Sequence, residues 1–289
     1  MKKFIIFIFT TVLIMTNSCN MTEMDLQNNP NDLTSEDADI TYVLSGVQLN
    51  FKDLFAGYYA DGQNGLNQPC MKITRMLHQF GAYTGPFSDV RSTVLDNAWD
   101  WAYAYVLKNG RLVIELAAQT EGLNYHSGMA KVLMAYTMVT MVDVFGDVPY
   151  TEILNPSNFN PIVDEGGSIY EAAFTMINEA IAEFNETPAA MPEDFFYDND
   201  ASKWIKLANT LKLKMYLNKS LTDPGGSATS INEIIASGNY ISSSADDFEF
   251  HFSVISANPD SRHPDFISDY DADGSDDYYM NNYYMTLLK

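Results

Sequence analysis

The sequence contains little cysteine and few basic residues. It has 2 cysteines in 289 residues, which is too few for a disulfide framework or a four-cysteine zinc ribbon. Its 16 Lys and Arg stand against 38 Asp and Glu, so the formal net charge is -22. Because binding to nucleic-acid phosphates requires clustered basic residues, this balance argues against a nucleic-acid partner.

The common catalytic motifs are also missing. The sequence contains no GxSxG nucleophile elbow, P-loop, GxGxxG or CxxC motif, and its 4 histidines lack metal-site spacing. We therefore expect neither a catalytic residue nor a cofactor. The chain does have 46% hydrophobic residues, which excludes a disordered acidic tail and predicts one large domain or two small ones.

The N-terminus has the pattern of an export signal. Lys2 and Lys3 precede a predominantly apolar run over residues 4–14. A basic segment followed by about a dozen apolar residues is typical of a secretory signal and is too short for a stable membrane span. We therefore predict a signal peptide over residues 1–18.

The residues after the apolar run resemble the lipobox of bacterial lipoproteins. Cys19 follows the small residue Ser18, although Thr16 occupies the position where the lipobox usually has Leu. The resemblance implies a lipidated Cys19 as the mature N-terminus, and plain secretion is the alternative. The polar, proline-broken residues 19–33 predict a flexible tether, so the chain would contact the membrane through its lipid anchor only.

Beyond residue 33 the hydrophobic residues recur with helical spacing. Helices are predicted over about 34–58, 94–118, 129–145, 168–184 and 201–220, with capping boxes at Thr34 and Ser168. The sequence also indicates a turn at 223–226 and a strand at 248–254, where aromatic residues alternate. Stacked helices over residues 34–289 are therefore the expected architecture.

Two of these helices indicate where the core lies. The helix at 129–145 carries only Lys131 and Asp143 as charges. It needs other helices around it, and its two charges disfavour a membrane span. Gly146 and Pro149 are expected to stop it. The helix at 201–220 has an apolar stripe formed by Trp204, Leu207, Ala208, Leu211 and Met215.

Four segments resemble the SusD/RagB family of outer-membrane nutrient-binding lipoproteins. They are the helix at 99–115, the segment 144–152 with its Phe-Gly-Asp-Val-Pro-Tyr turn, the helix at 204–212 and the segment 261–270. The Phe-Gly-Asp-Val-Pro-Tyr turn is the most specific of them. The resemblance covers nearly the whole chain from Cys19 onward.

The resemblance implies an all-α fold of tetratricopeptide-like helical hairpins with long irregular loops and minor β-structure. It implies a protein on the extracellular side of the outer membrane that binds oligosaccharide or another nutrient. Such a protein delivers its ligand to a SusC-like TonB-dependent transporter without catalysis. Because family members are considerably longer, we expect a partial protein that stops within a helix beginning near Asp277.

Two other classes of function remain open. One is a surface glycoside hydrolase, which would need a pair of Asp or Glu carboxyls about 5–10 Å apart in a cleft. The other is a helical-repeat adaptor that binds only protein. A nutrient-binding protein would bind oligosaccharide without forming a product, and a hydrolase would form a product. An adaptor would do neither.

An aromatic and amide-rich stretch over residues 58–101, with Tyr105 one helical turn beyond it, supplies the ligand-binding candidates, since sugars stack on aromatic rings and hydrogen-bond to amides. The candidates are Asn64, Asn67, Tyr83, Phe87, Trp101 and Tyr105. Trp99 shares a helix face with Tyr103 and is predicted to belong to the core. Trp101 lies about 200° around the helix, and either stacks on ligand or packs on the next helix.

The remaining candidate sites are weaker. Asp269, Asp271 and Asp273 match the first half of a calcium loop, but position 12 of that loop is Met280 instead of the required Glu. An acidic turn is the preferred interpretation. Cys70 is expected to be a buried free thiol.

Overall fold

The computed structural model describes residues 38–58, 65–79, 93–153, 155, 157–257, 260–270 and 278–289. These residues are mostly helical, as predicted. The helices are α1 Ile40–Ala56, α2 Asn67–Ile73, α3 Thr93–Trp99, α4 Lys108–Ala118, α5 Asn124–Phe145, α6 Gly166–Phe184, α7 Ala201–Lys219, α8 Pro224–Ser237, α9 Pro264–Tyr270 and α10 Asn282–Leu287. Two short strands, β1 Leu77–Gln79 and β2 Tyr278–Met280, pair antiparallel.

Consecutive helices from α4 to α8 pack on one another, and α5 lies at the centre of the arrangement. It contacts α1, α4, α6 and α7, and side chains on every side of it are buried. Among the described residues it is a helix long and apolar enough to cross a membrane, but 67% of its most apolar stretch is buried inside the protein. It is therefore the core helix that its composition predicts, and Gly146 ends it with a φ of 81°.

The predicted helix over 94–118 is confirmed, but its middle is wider than an α-helix. Asp100–Leu107 form a π-helical segment between α3 and α4. A π-helix closes its hydrogen bonds to the fifth residue instead of the fourth, so its side chains do not follow the 3.6-residue period. An α-helical wheel therefore misplaces the side chains of this segment around the helix axis.

The starts of three helices differ from the predictions. α1 begins at Ile40, where the Asp39 carboxylate accepts the N–H of Thr41 at 2.9 Å. The predicted cap at Thr34 lies outside the described residues. The capping box at Ser168 is wrong, because α6 begins earlier and Asp147 Oδ1 accepts the N–H of Gly166 at 2.8 Å. The predicted turn at 223–226 is the beginning of α8, capped by Asp223.

The predicted β-structure is also misplaced. Residues 248–253 have no regular secondary structure and residue 254 lies in a bend, and no strand pairs with them among the described residues. The described sheet instead joins β1 and β2, with His78 opposite Tyr279. The helix expected near Asp277 begins at Asn282, after β2. Alternating aromatic residues favour an extended backbone, but only a neighbouring edge makes that backbone a strand.

Candidate functional site

A cleft of about 640 Å³ lies between α1 and the irregular segment that leads to α9. We call it the α1 cleft. It is lined by charged and aromatic side chains together with the hydroxyls of Ser253, Ser256 and Ser261. The principal lining residues are Lys52, Asp53, Tyr58, Phe252, Asp260 and Arg262.

A series of aromatic rings connects this cleft to the core. Phe248 stacks on Phe196 with ring centroids 4.3 Å apart. Phe252 lies 5.1 Å from Phe250 and 4.6 Å from the ring of His263. Phe248 and Phe250 pack against the buried core cluster, and Phe252 continues the row outward from Phe250. We call Phe248, Phe250 and Phe252 the aromatic ladder, and Phe252 is its outermost ring.

Two ion pairs line the cleft. Lys52 pairs with its neighbour Asp53, and its Nζ lies 5.8 Å from the Phe250 centroid and 5.7 Å from the Phe252 centroid. This is cation–π distance. Arg262 Nη2 contacts Asp260 Oδ2 at 2.6 Å, and Arg262 Nε also donates to that carboxylate.

The two carboxyls of the cleft have opposite pKa shifts. Burial raises the pKa of Asp53, against the opposing effect of Lys52. Hydrogen bonds from Arg262 lower the pKa of Asp260. Asp260 therefore remains ionised, and the cation beside each carboxylate balances its charge.

The loop between α6 and α7 supports the inner end of the ladder. Gln48 of α1 is 0% exposed; its Nε2 donates to the carbonyl of Glu193 at 2.7 Å and its Oε1 accepts the N–H of Phe195 at 2.9 Å. The Asp194 carboxylate accepts the indole N–H of Trp204 at 2.8 Å. These bonds hold Phe196 against Phe248, so the ladder has a rigid base.

A second hollow of about 270 Å³ adjoins the α1 cleft and shares Lys52, Phe250 and Phe252 with it. Asn67, one of the predicted ligand-binding residues, lines this hollow as the first residue of α2. Its exposed side-chain amide is therefore the one described candidate that the structure brings near the cleft.

Trp101 is a packing residue in the structure. Only 5% of it is exposed, and it lies in a core cluster with Leu54, Met138 and Ile169. A ring covered in this way cannot stack on a sugar, so the packing alternative holds for Trp101. Trp99, predicted to be core, is half-buried and stacks on Tyr103 with centroids 5.0 Å apart.

Tyr105 is the exposed aromatic residue of the same helical segment, at 45%, but it lines neither the cleft nor the hollow. Asn64, Tyr83 and Phe87 lie outside the described residues, as does Cys19. Their predicted roles remain predictions.

The calcium and thiol predictions have different outcomes. Asp271 and Asp273 lie outside the described residues, while Asp269 belongs to α9. The described part of the chain contains no cluster of three or more metal-binding side chains. Cys70 is free, as expected, but half-buried, and burial raises the pKa of its thiol.

Sequence reasoning missed the aromatic ladder as a site. The alternation of Phe248, Phe250 and Phe252 is visible in the sequence, but alternation alone predicts a strand. Lys52 and Arg262, 210 positions apart, carry no shared pattern in the sequence. Only the packing of the irregular segment before α9 against α1 brings them to one cleft.

Comparisons with known proteins identify the fold. A crystal structure of a SusD/RagB family protein from Bacteroides thetaiotaomicron matches with a TM-score of 0.68 and 20% identity, over 84% of this chain and 50% of that one. A SusD homolog from Bacteroides uniformis gives a TM-score of 0.66 and 18% identity, over 83% and 50%. A chitin-binding SusD homolog from Flavobacterium johnsoniae gives 0.64 and 19%, over 83% and 50%.

The chain thus spans about half the length of these solved structures. No curated protein matches it. The sequence profile of a SusD-like family, described as starch-binding and associating with the outer membrane, matches residues 32–282. This match extends over most of the chain and agrees with the helical fold, so the chain belongs to the SusD-like family.

Proposed function

We propose that the chain is a lipid-anchored protein of the outer-membrane surface that binds oligosaccharide in the α1 cleft and passes it to a SusC-like TonB-dependent transporter. No bond of the ligand is broken in this process. The observation that carries the binding site is the juxtaposition of Phe252 with paired charges and serine hydroxyls in a cleft of about 640 Å³. The transporter partner and the extracellular location rest on family membership.

The chemistry of the cleft fits a saccharide. The flat C–H face of a sugar ring packs on an aromatic ring, and its hydroxyls require donors and acceptors around that ring. Phe252 and Tyr58 supply rings, and the exposed Ser256 supplies a hydroxyl. The hydroxyls of Ser253 and Ser261, which bond each other, lie beside it. The chitin-binding relative and the starch-binding family description support the same class of ligand.

The paired charges favour a neutral sugar over an acidic one. Lys52 and Arg262 each face a carboxylate within the cleft. A uronate or sulfate would have to compete with Asp53 or Asp260 for its cation, inside a protein of formal charge -22. Repulsion of an anionic ligand follows from both facts.

Calorimetric titration with chito- and malto-oligosaccharides tests the site. We expect saturable binding that Tyr58→Ala and Phe252→Ala each weaken by about 10-fold, the scale of one lost stacking contact. Tyr58 is exposed, so its replacement reports binding without loss of the fold. Thermal unfolding of each variant checks this.

Tyr105→Ala is the matched control, because Tyr105 is a tyrosine of similar exposure that lies off the cleft. Retained affinity in this variant supports the α1 cleft. Loss of affinity in Tyr105→Ala alone would move the site to the π-helical segment, and no binding of any oligosaccharide by the wild-type chain would contradict the proposed function.

The lipid anchor has its own test. Cys19→Ala is expected to release the protein from membranes into the soluble fraction, because the acyl chains would have no attachment point. Unchanged fractionation would contradict the anchor. A gene for a TonB-dependent transporter next to this one would support the proposed partner.

The glycoside-hydrolase alternative makes a distinct prediction in the same experiment. Asp53 and Asp260 have opposite pKa shifts in one cleft, which is the pattern of an acid and a base in hydrolysis. Chromatography of the titrated oligosaccharides would reveal products, and Asp53→Asn would abolish them. We expect no product, because each of these carboxylates is held by a cation. The adaptor alternative predicts neither binding nor product.

A further inference from the structure

The loop between α5 and α6, residues 147–165, is ordered by hydrogen bonds to its own carboxylates. Asp164 Oδ2 accepts the N–H groups of Tyr150 at 2.8 Å and Thr151 at 3.0 Å, and its Oδ1 accepts the Thr151 hydroxyl. Asp164 also pairs with Val148 through the backbone. We call residues 147–165 the carboxylate loop.

A second carboxylate holds the outer part of the loop. Glu152 Oε2 accepts the side-chain N–H of Asn158 at 2.7 Å and the backbone N–H of Ile162 at 3.1 Å. The base is attached to α6 through the bond from Gly166 to Asp147. Backbone groups on both sides of Phe159 are therefore bonded within the loop.

This ordered loop points apolar side chains into solvent. Phe159 is 95% exposed, and Ile162 and Val163 are each more than half exposed. Hydrogen bonds hold the backbone although the Phe159 side chain buries almost nothing against the described residues. An aromatic side chain on a pre-ordered backbone loses little entropy on binding, which is the usual property of an interface anchor.

The charge of the loop selects the class of partner. Residues 147–165 contain four acids and no Lys or Arg, within a chain of formal charge -22. An anionic lipid surface and a second copy of the same chain would both be repelled. The complementary surface is a protein with an apolar socket bordered by basic side chains.

We infer that the carboxylate loop docks on the transporter, with Phe159 inserted in an apolar socket that has a basic rim. The inference rests on the proposed function, and it specifies the surface that the partner contacts. This surface is separate from the α1 cleft, since none of the cleft's lining residues lies in the loop.

The test is co-purification of the transporter with the affinity-tagged full chain from outer membranes in mild detergent. We expect Phe159→Ala to reduce the recovered transporter by about 30-fold, as for an interface hot spot. Leu221→Ala is the matched control, because Leu221 is 94% exposed and lies in a different turn. Oligosaccharide titration of both variants should equal the wild type.

A second variant tests the ordering of the loop itself. Asp164→Asn keeps Phe159 but removes the charge that Tyr150 and Thr151 bond to. It should also reduce recovery of the transporter, without affecting oligosaccharide binding. Equal recovery in both variants and the wild type would overturn the inference while leaving the proposed function intact.

Two further outcomes contradict the inference in different ways. If the wild-type chain recovers no transporter, the proposed partner fails and the docking surface fails with it. If the wild type instead binds phosphatidylglycerol vesicles and Phe159→Ala does not, the loop contacts lipid and the protein socket is wrong.

Discussion

At the scale of single residues, the buried Gln48 and the half-buried Asp194 determine how the loop between α6 and α7 attaches to the helices. Gln48 satisfies both its amide groups on the backbone of the loop between α6 and α7. Asp194 does the same for Trp204 and for the N–H groups of Phe196 and Asn199. Without these two side chains, the backbone groups of the loop that they bond would lose these hydrogen bonds.

Gln48→Met should destabilise the chain by about 1–3 kcal/mol, because it keeps the side-chain volume and leaves a buried N–H and carbonyl without partners. Urea unfolding measures the change. Gln119→Met, at an exposed position, is the control and should change the free energy of unfolding by less than about 0.5 kcal/mol. Equal effects of the two changes would contradict the assigned role of Gln48.

At the scale of elements, the connections between helices depend on local backbone geometry. Gly122, between α4 and α5, has a φ of 85°, and a Cβ there would lie 2.3 Å from the Cβ of Ala189. Its carbonyl also accepts the N–H of Ala189 at 2.8 Å. The absence of a side chain thus lets the loop after α6 close against this turn.

Gly122→Ala is expected to cost about 2 kcal/mol or more, from the left-handed backbone and the clash together. Gly46→Ala is the matched change within α1, where a Cβ would meet nothing within 4 Å. It should stabilise the chain by about 0.5–1 kcal/mol, since alanine favours helix over glycine. Thermal unfolding of both variants measures the changes in stability. A stability change of the same sign in both variants would contradict the role given to Gly122.

The carboxylate loop should loosen only in acid. Burial raises the pKa of Asp164, but hydrogen bonds from Thr151 and Tyr150 outweigh this and lower it. Since the folded-state pKa lies below the unfolded value of about 3.9, the carboxylate's stabilising effect is complete above that value. It is lost as the pH falls through the lower folded-state pKa.

NMR titration of the Tyr150 and Thr151 amide protons from pH 6 to pH 2 measures this transition. We expect a midpoint below about 3.9, and no such transition in Asp164→Asn. A midpoint at or above the ordinary value would mean that these hydrogen bonds do not favour the ionised carboxylate.

At the scale of the whole molecule, the excess of acid opposes folding. With a formal charge of -22, mutual repulsion is strongest in the compact state. Raising sodium chloride from about 0.02 M to 0.5 M shortens the screening length from roughly 20 Å to 4 Å. The melting temperature should therefore rise with salt, and calorimetry measures it. Chloride is the chosen anion because sulfate, which is excluded from protein surfaces, would stabilise the fold by a separate effect. A fall would indicate that attractive ion pairs dominate.

Much of the helical framework could be predicted from the sequence. The stripe of α7, from Trp204 to Met215, is buried as its spacing requires, and the apolar composition of α5 places it in the core. Hydrophobic periodicity reports such faces because burial of apolar area dominates folding.

The site was predictable only in part. Asn67 came from the composition of its neighbourhood and lies beside the cleft. Trp101 lies in a π-helical segment and is buried in a core cluster. An α-helical wheel cannot indicate this burial, because it assumes 3.6 residues per turn. Asp147, which caps α6, is 19 positions from the N–H it accepts, so no local motif announces it.

By itself, the sequence determined the elements with a regular period, the acidity, the family and the absence of common catalytic motifs. Only the tertiary structure decided which carboxylate caps which helix and that Phe248, Phe250 and Phe252 form a ladder instead of a strand. It also decided that Lys52 and Arg262 line one cleft. The reason is that hydrophobic period is a local property of the chain. Hydrogen-bond and ring partners depend instead on which distant segments the packed helices bring within a few ångströms.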